Sequence, residues 1–99
     1  VDIGEKIEVL KEITVGTEQF GRVLDKLLEA ALSQQRLQVA RYDRDLREFE
    51  HRYGLDSNTF YQKFQSGELG DDMDYFEWAG LYELRHVAAE KIHRLEQAL

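Results

Sequence analysis

Chemistry in a protein needs groups that can hold a metal, move a proton or attack an electrophile, and this chain holds few. His86, Glu90 and His93 follow one another at spacings of four and three, so a helix carries them on one face. Two imidazoles and a carboxylate begin a zinc-type site but leave it without a fourth ligand, and a solvated polar face explains the same spacing. Asp71, Asp72 and Asp74, with Glu77 three residues beyond, form the densest acidic cluster. It lacks the alternating acids, central glycine and distal glutamate of a calcium loop. Acids ahead of a helical pattern are what free N–H groups and the helix dipole favour, so capping is preferred there over metal. The chain has no cysteine, and no serine or lysine has a recognisable activating partner. The sequence therefore points to a non-enzymatic protein-binding module without cofactor, with a helical metal-binding or hydrolytic module, or a structural oligomerisation module, as the alternatives.

Arg36, Arg41, Arg44, Arg47 and Arg52 form the main basic cluster, interleaved with Asp43, Asp45, Glu48 and Glu50. Interleaved signs cancel the field a phosphate-binding stripe requires, so a salt-bridged helix surface is the preferred reading. The net charge of −7 likewise argues against general nucleic-acid binding. No apolar run approaches the ~20 residues of a membrane span, and no signal-peptide pattern is present. Absent cysteines suit a reducing cytoplasm. The chain opens on Val1 rather than methionine, which leaves room for native residues ahead of it.

The elements that must position these groups are helical. Thr17 as cap and Glu18 in the first turn begin a pattern through Phe20, Leu24, Leu27, Leu28 and Ala31. It pauses at Ser33-Gln34-Gln35 and resumes through Val39, Tyr42, Leu46, Phe49 and Tyr53, with Gly54 as the C-terminal signal. The chain has no proline to interrupt it. One helix of about 36 residues would span ~54 Å at 1.5 Å per residue, so either it bends near Ser33 or a second chain covers part of it. Asp56-Ser57-Asn58 caps a short helix through Phe60, Tyr61 and Phe64, and Gly67 and Gly70 bracket a turn. From about Met73 a last helix runs to the end, with Leu81, Leu84, Ala88, Ile92, Leu95 and Leu99 as its seam. Before all this, residues 1–16 form an N-terminal arm. Ile7, Val9, Ile13 and Val15 share one parity and predict a strand pairing between chains; Ile3, Ile7 and Leu10 fit a short helix instead.

Between His51 and Leu81 lie seven of the aromatic residues: Tyr53, Phe60, Tyr61, Phe64, Tyr75, Phe76 and Trp78. Aromatics bury the most area per residue, so this is the expected core. The fold expected is all-α, with a possible short N-terminal strand. Residues 17–99 form a helical domain in which the last helix folds back antiparallel on the first, with Trp78, Phe60 and Phe64 at the corner. Apolar stripe in excess of what one small chain covers predicts a homodimer or larger oligomer through the arm, Phe20, Leu24, Leu27 and Leu28. Tyr61, Tyr75 and Tyr82, with hydroxyls suited to half-buried positions, and the acids Glu68, Asp71, Asp72 and Asp74 form the expected partner surface. Phe64, Phe76 and Trp78 are expected to fill the core.

Two stretches carry a resemblance. Arg41-Tyr-Asp-Arg-Asp-Leu-Arg-Glu-Phe-Glu-His-Arg-Tyr-Gly54 and Phe60-Tyr-Gln-Lys-Phe-Gln-Ser-Gly-Glu-Leu-Gly-Asp-Asp-Met-Asp-Tyr-Phe-Glu-Trp-Ala79 resemble small helical prokaryotic proteins of the antitoxin type, encoded beside small toxins. The resemblance spans roughly residues 17 to 82 and implies a protein that binds and neutralises a cognate toxin. The strand–helix opening resembles a ribbon-helix-helix start. It departs from one in lacking the turn and second short helix, so no DNA-contacting residue carries over.

Overall fold

A computed structural model describes residues 1–13 and 16–99, and of Thr17 the backbone only. It contains α1 (Ile3–Ile13), α2 (Thr17–Tyr53), α3 (Ser57–Gln65) and α4 (Met73–Ala98). No strand occurs among the described residues. α2 and α4 run antiparallel along most of α4, and α3 closes the corner between them. The radius of gyration is 19.7 Å, against about 13 Å for a compact domain of this length. The chain is a rod with a knot of aromatics near one end.

The arm is helical where a strand was expected. A lone strand leaves its backbone donors and acceptors unpaired, whereas a helix satisfies them within itself. Asp2 supplies the local signal: its carboxylate accepts the Glu5 N–H at 2.7 Å, and its carbonyl accepts that of Lys6 at 3.1 Å. The helical spacing of Ile3, Ile7 and Leu10 therefore prevails over the alternation of Ile7, Val9 and Ile13, while Val15 lies outside the described residues. α1 buries none of its residues.

α2 is continuous over 37 residues, without a break at Ser33. Its N-cap falls at Gly16, one residue earlier than the expected Thr17, and carries no side-chain cap bond. It stops at Gly54, whose φ of 62° is left-handed; the Gly54 N–H closes the last turn on the Glu50 carbonyl at 2.8 Å. Asp56 then caps α3 through the Thr59 N–H and hydroxyl, at 2.8 and 2.9 Å. Gly67, with φ 78°, turns the chain out of α3, and Asp72 caps α4 by accepting the Asp74 N–H at 2.9 Å. Each punctuation residue is thus a backbone donor satisfied or a positive φ made affordable.

The core forms where the three helices meet. Trp78 and Phe60 are fully buried and stack at 3.7 Å with 4° between their planes, and Phe49 stacks on Trp78 from α2 at 5.6 Å. Leu46 and Ala79 complete the buried cluster, with Phe64, Tyr75 and Leu81 packed half-buried around it. Burial of side chains this size contributes roughly 1.5–3 kcal/mol each, which outweighs the short length of α3. Trp78 donates its indole N–H to the buried Ser57 hydroxyl at 2.9 Å, and Ser57 donates its own N–H to the Glu50 carboxylate at 2.8 Å. No buried side-chain polar atom among the described residues lacks a partner.

Candidate functional site

The residues expected to form a partner surface gather at the α3–α4 corner, and most are already occupied. Tyr61 is half-buried, tilted on Tyr82 at 4.5 Å, and donates its hydroxyl to Glu83 at 2.6 Å while accepting from Gln65. That bond to Glu83 raises the Tyr61 pKa. Tyr82 is half-buried with its hydroxyl 3.3 Å from Asn58 Oδ1. Tyr75 packs between Tyr53 and Phe60 at 5.6 and 5.9 Å. The three tyrosines thus take the half-buried positions their hydroxyls suit, with their rings serving the core margin.

The acids divide. Asp72 is the α4 cap. Asp74 accepts the Tyr53 hydroxyl at 2.5 Å and Arg52 Nη1 at 2.9 Å, which fastens the end of α2 to the start of α4. Hydrogen bonds from Tyr53 first and Arg52 second hold the Asp74 carboxyl below its ordinary range, and the same contact raises the Tyr53 pKa. Glu68 and Asp71 are exposed.

Further along the hairpin Arg85 donates to Asp43 at 2.6 Å, which raises the arginine's pKa, and Arg36 pairs with Glu96 at 3.2 Å. Arg52 also lies 5.2 Å from the Phe49 ring centre. Arg41, Arg44 and Arg47 are exposed. A shallow groove of about 360 Å³ lies along Asp43, Arg47, Glu50, Asn58, Tyr82 and Arg85. Three of its charged groups are paired within the chain, Arg85 with Asp43 and Glu50 with the Ser57 N–H.

His86, Glu90 and His93 all face solvent, and His86 sets its ring edge-on to Tyr82 at 4.6 Å. Among the described residues no cluster of His, Cys, Asp or Glu converges in metal-binding geometry. No helix among them is long and apolar enough to cross a membrane.

What the sequence reading missed is a second apolar face on α4. Phe76, expected in the core, is 52% exposed and meets the Phe64 ring edge-on at 5.6 Å. Leu84, expected in the seam with Leu81 and Ala88, is also exposed. Met73, Phe76, Gly80, Leu84 and Val87 advance by three and four residues, so they share a face distinct from that of Trp78, Arg85 and Ala88. Two interleaved apolar periods in one helix look in sequence like a single broad one. Glu77, Glu83 and Glu90 flank the outer face at helical spacing, with Glu68 and Asp71 in the turn preceding α4.

Of the expected oligomer contacts, Phe20 is buried within the chain and Leu28 is half-buried, whereas Leu24 and Leu27 are exposed. Comparison with known proteins returns nothing to set beside this geometry: no family model, no curated protein and no solved structure matches the chain.

Proposed function

We propose that this protein is a non-catalytic binding module of the antitoxin type, which covers and neutralises a basic cognate protein with the outer face of α4. The observation that supports this reading is Phe76, a large aromatic half out of water beside Met73, Leu84 and Val87, with carboxylates on both flanks. Aromatic anchors inside a polar rim are the usual source of binding energy between proteins. An acidic rim speeds encounter with a basic partner and discourages an acidic one. The aromatic knot behind the face keeps it rigid, so little ordering entropy opposes association. The resemblance of residues 41–54 and 60–79 to antitoxin-type proteins names the class of partner, a small toxin encoded alongside.

The test is co-expression with the product of the adjacent reading frame. The expected result is a neighbour toxic alone, harmless with this chain, and co-purifying with it. Phe76→Asp should weaken that complex by ~2 kcal/mol or more, the scale of a hot-spot loss, with the helical circular-dichroism signal kept. A neighbour that is harmless alone, or one bound equally well by the Phe76→Asp protein, would overturn the reading.

A further inference from the structure

We propose that the partner meets the outer face of α4 with a basic α-helix, which crosses α4 at Gly80 and seats a large apolar side chain between Phe76 and Leu84. This rests on the reading of that face as the partner surface. It adds the kind of element that docks there and the point at which it docks.

The first observation is a glycine that the chain's own fold does not use. Gly80 lies inside α4, away from either end, and the glycines of positive φ are Gly16, Gly54 and Gly67. A Cβ built on Gly80 would meet no atom within 4 Å. Neither backbone conformation nor internal packing calls for glycine here, and in a helix interior it is less favourable than alanine. What the missing side chain leaves is a notch. Phe76 and Leu84, four residues before and after, are 52% and 50% exposed and form its walls, with Met73 and Val87 beyond them. Phe76, Gly80 and Leu84 make one i±4 ridge, and a gap in a ridge is where a second helix can pass closest.

The second observation is the chemistry of the face, which selects a helix. From Met73 to Val87 the stripe is about 21 Å long at 1.5 Å per residue. Glu77 bounds it on one side, and Glu83 and Glu90 on the other. A strand or loop laid along it would set backbone carbonyls against apolar side chains and carboxylates, none of which donates a hydrogen bond. A helix satisfies its own backbone and presents side chains alone.

The third is charge, which selects a basic helix over a second copy of α4. Glu77 and Glu90 have no ion pair among the described residues, and Glu83 accepts the Tyr61 hydroxyl. The nearest base on this face, Lys91, lies about three turns from Gly80. Two copies of α4 crossing at Gly80 would therefore set acids against acids. Lysine or arginine on both sides of a partner helix's apolar stripe would meet those carboxylates instead.

The test uses the complex with the product of the adjacent reading frame, measured by titration calorimetry. Gly80→Ala should raise the melting temperature of the free chain by roughly 4–8 °C, from the gain of alanine over glycine in a helix. The same methyl should raise the dissociation constant of the complex roughly tenfold by filling the notch, and Gly80→Leu should raise it further. Gly21→Ala is the matched control, because Gly21 lies inside α2 with nothing within 4 Å of an added methyl. It should stabilise the chain and leave the complex unchanged. In the partner, alanine scanning of the segment that binding protects from hydrogen exchange should give losses three and four residues apart. A complex that needs Phe76 yet binds Gly80→Ala and Gly80→Leu as tightly as wild type would overturn this inference alone, as would losses at alternate partner residues. A dimer of the chain by itself that Gly80→Leu breaks would overturn it in favour of a second copy. A neighbour that does not bind, or binds irrespective of Phe76, removes this inference together with the reading it rests on.

Discussion

The two ends of α2 are built from the same kind of helix and live in different surroundings. At its C-terminal end Leu46 and Phe49 are buried against Trp78, and Arg52 and Tyr53 tie down Asp74. At its N-terminal end Val23, Leu24 and Leu27 point the same apolar chemistry at solvent, and α1 beside them buries nothing. Helical propensity does not separate the two ends. Tertiary cover does, because most helical stability in proteins comes from packing one face against something. One end is a finished core, and at the other only Phe20 is buried while Val23, Leu24 and Leu27 stand exposed.

Substitutions should expose that contrast in order of size. Trp78→Ala and Phe60→Ala remove the two fully buried rings and should each cost about 3–5 kcal/mol in urea unfolding. A loss near zero would mean that the core lies elsewhere. Ser57→Ala strands the buried Trp78 indole N–H that Ser57 now satisfies. It should cost about 1–3 kcal/mol with little change in helix content, read from the shift in the urea midpoint. Gly54→Ala meets no neighbouring atom, since nothing lies within 4 Å of the added methyl. Its φ of 62° still imposes about 1–2 kcal/mol, so this variant isolates backbone strain from packing.

The polar clasp between the ends of α2 and α4 predicts a pH window. Asp74 is depressed in the folded state, so its contribution is present above the ordinary aspartate pKa of about 3.9 and is lost as pH falls through the lower folded value. Tyr53 is raised, so its share is present below about 10 and is lost as pH climbs through the higher folded value. Melting temperatures of wild type and Asp74→Asn should therefore differ most between those limits and converge toward both extremes. A constant offset across the range would show that the clasp is not what the variant removes. The smallest effect belongs to the exposed arm: Ile3→Ala and Ile7→Ala, followed by Trp78 fluorescence, should shift unfolding by no more than about 0.5 kcal/mol.

Read residue by residue, the sequence contained the hairpin. Gly54, Asp56, Gly67 and Asp72 end or begin helices by local rules, because a left-handed φ or an unpaired N–H is satisfied by the residue itself or a near neighbour. The stripe from Phe20 to Tyr53, which pauses at Ser33-Gln34-Gln35 without losing helical propensity, and the lack of proline carry α2 in the same local way. The arm was misread because alternation and helical spacing overlap over so few residues, and what decides between them is whether a neighbouring strand exists. Phe76 and Leu84 were misplaced for a related reason. A helix position records how apolar a side chain is, not which of two faces the fold leaves open, and only the approach of α2 to the Trp78 side chose one. Likewise the tyrosine hydroxyls and Asp74 read equally well as recognition groups or as internal fasteners. Tertiary structure assigned Asp74 to Tyr53 and Arg52, and Tyr61 to Glu83, because a hydrogen bond needs its partner within about 3 Å and no sequence spacing supplies that across helices.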